Sequence, residues 1–316
     1  MKIAIIDDWL NDAPKSANWD QLAAHHQIDF YQDTLTGEAL IQRLAPYHII
    51  GIMRERTPFD AALISALPQL KAIVTTGMHN QSIDQEAAKQ AGIMVMGTHS
   101  PGHATAELAM ILIGTLARDL FANATSMTST GWQVSTGRDL RGATLGILGL
   151  GRLGLQLAKF GQAFGMDVQA WSQNLTQDRC DAAGVRFVDK DRFFATSDYI
   201  SIHLKLSDRV RHLVGKKELA MMKQSACLVN SSRAPIIDTE ALIEALQTGQ
   251  IRAAATDVYD AEPVPSDHIV RQIPNLLCTP HIGYVTEQTM AIFYSEMVET
   301  ISHYIAGTPI RKFDGF

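Results

Sequence analysis

Short apolar runs alternate with amphipathic stretches along almost the whole chain. Lys2–Asp7, Ile28–Tyr31, Ile49–Met53, Lys71–Thr75 and Ile93–Val95 show little polar alternation, as expected of parallel strands buried on both faces. Helical periodicity fills the gaps, over Gly37–Leu44, near Asp60–Ala66 and near Asp84–Ala91. His99-Ser100-Pro101-Gly102 breaks the rhythm, and Ala104–Met127 then reads as one long apolar helix bridging two halves. Further strands are predicted at Leu145–Leu148, Met166–Trp171, Tyr199–His203, Cys227–Asn230, Ile251–Thr256 and Leu276–Cys278, with a helix over Thr239–Gln247. The last helix, Thr286–Ala306, is long enough to return to the first half. Strands alternating with helices give parallel sheets covered on both faces, an α/β fold with two doubly wound domains.

One stretch organises the second half. After the Leu145–Leu148 run, Gly149, Gly151 and Gly154 stand in the G-x-G-x-x-G spacing. The first glycine allows a tight turn, the second lets backbone approach a pyrophosphate, and the third lets helix pack on strand. The helix start that follows offers free N–H groups to phosphates. Gly154, Ala158, Gly161 and Gly165 form a small-residue stripe beside an apolar stripe of Leu153, Leu157, Phe160 and Phe164. Strand, glycine turn, helix and strand together predict a dinucleotide-binding unit. The first half has no such fingerprint. Its loop Thr75–Asn80 nevertheless leaves the carboxyl end of a strand, where open α/β sheets place ligands.

Composition narrows the function classes. At 316 residues, two domains are expected. A hydrophobic fraction of 46%, with 19% charged residues, is ordinary for a soluble globular protein. The net charge of −6 leaves no basic footprint for nucleic acid or an anionic membrane. No run approaches the ~20 apolar residues of a membrane span, and the early charges of Asp7 and Asp8 argue against a secretory signal. Cys180, Cys227 and Cys278 are scattered without metal-ligand spacing, so no metal site is expected and a cytoplasmic location is.

The end of the second strand of the glycine-rich unit normally carries an acid that clamps the cofactor's ribose. Here it falls on Ser172, followed by Gln173 and Asn174. These neutral groups neither clamp both ribose hydroxyls nor repel a 2′-phosphate. NAD(P) is therefore expected, with NADPH slightly preferred over NADH.

Three residues past predicted strand ends could do chemistry. Arg233 is by itself a cation in a turn, but its planar fork suits a carboxylate. Glu262 is by itself a loop acid, and His281 one histidine of eleven. All three follow strands of the glycine-rich half and so can point into one crevice. A carboxylate beside an imidazole favours the charged ring, which makes a general acid near neutral pH.

These stretches resemble the D-isomer-specific 2-hydroxyacid dehydrogenases over essentially the whole chain. The resemblance lies in Gly149–Gly154, Val229–Arg233, Asp257–Pro263 and Thr279–Gly283, with His103–Leu108 like the family's entry to its interdomain helix. It implies a Rossmann-type dinucleotide-binding domain, residues 99–285, inserted into a flavodoxin-like substrate domain, residues 1–98 and 286–316. It also implies hydride transfer between NAD(P)H and a 2-oxo or D-2-hydroxy acid, with closure of the two domains. Arg233 would bind the substrate, His281 would be the acid/base, and Glu262 its partner. Thr76, Gly77, Met78 and His79 would hold the substrate carboxylate by backbone N–H groups. Thr105, Gly149, Gly151, Arg152, Leu153, Gly154, Ser172, Gln173, Asn174, His203, Ser231, Ser232, Asp257 and Gly283 would line the cofactor. A homodimer is implied too, and the apolar run Leu108–Leu116 fits either a partner face or an intramolecular helix.

The chain departs from the family's common pattern at Ser172, at Lys205 where Pro is common, at Val210 where Thr is common, and in Ser232-Arg233-Ala234-Pro235. Glu262 argues against formate as substrate. Glyoxylate/hydroxypyruvate reduction and 3-phosphoglycerate oxidation are the competing enzyme readings. The short stretch after the last helix leaves no room for the regulatory domain of some phosphoglycerate dehydrogenases. Arg54 and Arg56 either reach substrate or are structural. A non-catalytic NAD(P)-sensing protein, like the corepressors of this fold, is the reading from another class.

Overall fold

The computed structural model describes residues 1–316. The chain divides into two units, Met1–Pro101 with Val285–Phe316, and Gly102–Tyr284. The crossing falls after Pro101 rather than after residue 98. His99 stays with the first unit, where its backbone N–H and ring Nδ1 both bond the Glu296 carboxylate.

The first unit holds five parallel strands: β1 (Lys2–Ile5), β2 (Gln27–Phe30), β3 (Ile49–Ile52), β4 (Ala72–Thr75) and β5 (Met94–Gly97). Their order, β2-β1-β3-β4-β5, is the flavodoxin-like one. Successive residues face opposite sides of the sheet. Ala4, Ile50, Ile73 and Val95 pack with Leu40 and Leu44 of the Gly37–Leu44 helix. On the other face, Gly51 lies against Ile5 and Met297, where a Cβ would collide, so the Glu287–Ile305 helix sits close on the strand. That helix begins where the pattern predicts, capped by the Thr286 side chain on the Thr289 N–H.

The second unit is a seven-stranded parallel sheet: β6 (Thr144–Leu148), β7 (Asp167–Trp171), β8 (Arg186–Phe187), β9 (Tyr199–Ile202), β10 (Cys227–Asn230), β11 (Ala253–Thr256) and β12 (Leu276–Cys278). The order β8-β7-β6-β9-β10-β11-β12 reverses direction at β6, the switch point of a Rossmann sheet. Leu148, Ile200, Ile202 and Leu228 pack with Phe193, Phe194 and Leu242 on one face. Leu145, Ile147 and Val229 pack with Ile113 and Leu157 on the other.

Two expectations change. The long helix is two, His103–Ala117 and Leu120–Thr128, both within the second unit. Asp119 breaks it in a left-handed conformation, φ 44°, and both its carboxylate oxygens take 2.7 Å bonds from Arg252. An ion pair with a distant residue thus overrides apolar periodicity. On the Arg152–Ala163 helix, Gly154, Leu157, Ala158 and Gly161 are buried, whereas Phe164 lies past the last turn and is exposed.

Candidate active site

The glycine turn after β6 has the geometry that its spacing implies. Gly149 has φ 104°, a region closed to side chains, and its N–H donates to the Trp171 carbonyl. A Cβ on Gly154 would run into the Gly149 carbonyl oxygen, so this glycine lets the helix seat on the turn. A Cβ on Gly151, by contrast, would meet nothing within 4 Å. The Gly151 backbone therefore faces open space at the start of the Arg152–Ala163 helix, a cradle for a pyrophosphate. Ser231, just past β10, has a buried hydroxyl without a protein partner, as a cofactor-facing donor would. These features fit a dinucleotide.

At the ribose end, Ser172 accepts a backbone bond from Leu175, and the Gln173 carboxamide donates to the Arg209 carbonyl at 3.3 Å. No carboxylate stands at Ser172, Gln173 or Asn174. Ser232 is held by the Asn230 side chain and donates its hydroxyl to the Leu204 carbonyl. His203 follows β9 and shares a 2.9 Å bond with Ser201. The residue is half-buried, and desolvation lowers its pKa from 6.5 to about 4.

The acid/base pair is formed by the loops after β11 and β12. His281 Nδ1 lies 2.6 Å from Glu262 Oε2, and the other Glu262 oxygen accepts the Tyr259 N–H at 2.8 Å. Both side chains are about a quarter exposed. Burial pushes the Glu262 carboxyl up, but the His281 hydrogen bond and charge, the Tyr259 N–H and the Arg233 charge bring it below its usual 4.5. Arg233 stands at the start of the Ala234–Ile236 turn, where Asn230 holds its carbonyl. Its influence on Glu262 places all three predicted residues in one electrostatic neighbourhood.

His281 itself has φ 55°, a conformation that costs a bulky residue energy unless its surroundings enforce it. Asp257 supplies that enforcement. Its Oδ1 accepts the Thr279 hydroxyl at 2.6 Å and the Ile282 N–H at 2.8 Å, and its Oδ2 accepts the Gly283 N–H at 2.8 Å. Burial pushes the Asp257 carboxyl up, against those bonds and the charge of His281. Thr105 completes the cluster by donating to the Gly283 carbonyl at 2.9 Å. The patterning did not flag Thr279 or Tyr259, although each lies within two residues of a predicted site residue.

The Thr76–His79 loop belongs to the first unit. Two of its N–H groups are engaged there, Thr76 with the Ile52 carbonyl and Gly77 with the Thr98 hydroxyl. Met78 is half-buried and His79 exposed. Arg54 bonds the Thr76 carbonyl at 3.2 Å, and Arg56 donates to the Asp7 carbonyl while lying 3.8 Å over the Trp9 ring. Both arginines thus make structural contacts within the first unit.

Residues 108–283 match the family model described as "D-isomer specific 2-hydroxyacid dehydrogenase, NAD binding domain". The chain belongs to that family. It is 34% identical over 283 residues to a D-3-phosphoglycerate dehydrogenase of Archaeoglobus fulgidus, covering 88% of this chain and 53% of that one. A glyoxylate reductase of Aeropyrum pernix is 38% identical over 73% of this chain and 72% of its own. A crystal structure of phosphoglycerate oxidoreductase from Vibrio cholerae superposes with a TM-score of 0.92 at 35% identity, covering 97% of this chain and 99% of that one. The chain spans about half the length of the Archaeoglobus relative. No helix is long and apolar enough to cross a membrane.

Proposed function

We propose that the chain catalyses reversible reduction of a 2-oxo acid to a D-2-hydroxy acid. The 2.6 Å bond between Glu262 and His281 on a dinucleotide-binding sheet carries this reading. A nicotinamide cofactor would supply the hydride, with Gly149–Gly154 cradling its phosphates. His281 keeps Nδ1 on Glu262 and so presents Nε2 to protonate the carbonyl oxygen. In the reverse direction the same nitrogen takes the hydroxyl proton. Arg233 would bind the substrate carboxylate and polarise its carbonyl, adding orientation and charge stabilisation. Thr76, Gly77, Met78 and His79 are the proposed substrate loop of the first unit.

NADPH is the proposed preference over NADH, supported by the neutral Ser172-Gln173-Asn174 segment. The three unpaired cysteines support a reducing, cytoplasmic compartment. A homodimer is supported by the Leu120–Thr128 helix, which buries none of its residues and leaves Leu120, Phe121 and Met127 exposed beside Trp132 and Val134.

Loss of absorbance of NADPH and NADH, with glyoxylate, hydroxypyruvate and 3-phosphohydroxypyruvate in turn, tests the reading. Turnover on at least one acid, faster with NADPH, is expected. Tight cofactor binding without turnover on any of them would instead mark a sensor.

A further inference from the structure

The loop that carries Glu262 borders a pocket of about 40 Å3 lined by Val258, Tyr259, Val264, His268 and Val270, and Tyr259 and Val264 pack there against the core of the second unit. Hydrogen bonds through Tyr259 join this loop to its neighbour. The Tyr259 N–H donates to Glu262, and its hydroxyl lies 2.9 Å from the Thr279 carbonyl and 3.1 Å from the Thr256 carbonyl. The Thr279 carbonyl also accepts the His281 N–H at 3.0 Å. One residue therefore grips Glu262 through its main chain and the His281 turn through its side chain.

We propose that Tyr259 is a positioning residue for the acid/base pair, fixing the Glu262 loop against the His281 turn so that the two side chains stay in hydrogen-bond contact. The proposal rests on the hydride-transfer reading for its kinetic consequence, but not for its geometry. Burial pushes the phenol up, so it remains a donor across the working range. Around the pair stand Arg233, Asp257 and the Tyr284 ring, which Tyr259→Phe leaves in place, whereas the phenol's hydrogen bond with the Cys278 thiol is lost with the hydroxyl.

The test compares the wild-type chain with Tyr259→Phe and Tyr259→Leu, using NADPH and whichever of glyoxylate, hydroxypyruvate or 3-phosphohydroxypyruvate the wild type reduces fastest. Tyr259→Phe is expected to lower kcat about tenfold, with the oxo-acid KM and cofactor Kd within about twofold of wild type. A tenfold change is the size of one net hydrogen bond. Tyr259→Leu, lacking the ring as well, shows the same split between kcat and KM with a larger rate loss. In parallel, the low-field proton resonance of the His281 Nδ1–H held by Glu262 should broaden and move upfield in Tyr259→Phe, towards its loss in Glu262→Gln. An unmoved resonance together with an unchanged kcat would overturn the proposal. If the wild type shows no turnover with any of the oxo acids, the hydride-transfer reading fails, and the proton resonance alone still decides whether Tyr259 positions the pair.

Discussion

Glu262 and His281 are nineteen residues apart in the chain, yet their side chains meet at 2.6 Å because β11 and β12 pair in parallel and end at the same edge of the sheet. A carboxylate in that place holds Nδ1 and orients the ring. Removing the charge while keeping the shape isolates that contribution. In Glu262→Gln, kcat for oxo-acid reduction should fall about 10- to 100-fold, or ~1.4–2.8 kcal/mol. Cofactor affinity should be unchanged. Steady-state kinetics of the variant beside a cofactor titration check both effects.

Two glycines of one motif should fail in different ways. At Gly151 a methyl group meets open space, so Gly151→Ala should melt close to wild type while its cofactor affinity drops about tenfold or more. At Gly154 a methyl group collides with the Gly149 carbonyl, so Gly154→Ala should lower the melting temperature by several degrees, the usual cost of overpacking. Thermal melts and fluorescence titration with the cofactor separate the two.

His203 should contribute to acid sensitivity. Its folded pKa of about 4 lies below the 6.5 of an exposed ring. Between those values the unfolded chain binds the extra proton, so stability rises with pH across this window. The contribution is fully present above about 6.5 and is lost as pH falls towards 4. From this group alone the wild type should lose about 1 kcal/mol between pH 7 and 5.5. His203→Gln should lose correspondingly less, as measured by urea unfolding at the two pH values without cofactor.

The exposed apolar helix makes a prediction about assembly. Phe121 is 67% exposed and Trp132 70%. Phe121→Glu should convert a dimer to a monomer in sedimentation velocity while leaving the far-ultraviolet circular dichroism unchanged. A wild-type chain that sediments as a monomer would remove the basis for the proposed homodimer.

Much of this was legible in the chain, for a physical reason. Buried parallel strands must be apolar throughout, so β1, β3, β4, β6, β9 and β10 stand out as runs, and groups just past their ends fall at the ligand edge. Arg233, past β10, is of that kind, and Glu262 and His281 follow the neighbouring strands β11 and β12 at the same edge. Contacts made by one side chain to a remote partner leave no periodic trace. Asp119 ends its helix because of Arg252, 133 residues away, and nothing between Ala104 and Met127 announces it. The Tyr259 hydroxyl reaches a carbonyl 20 residues on, and Asp257 spends both its oxygens on the turn around His281. Residue type alone suggested neither role.

The most direct test of the whole account is His281→Ala, assayed for oxo-acid reduction beside a cofactor-binding titration. A positioned general acid is worth roughly 10²–10⁴ in rate, so kcat should fall by that factor while the cofactor Kd stays within about twofold of wild type. Turnover within a few-fold of wild type, with binding intact, would contradict the assignment of His281 as the proton donor.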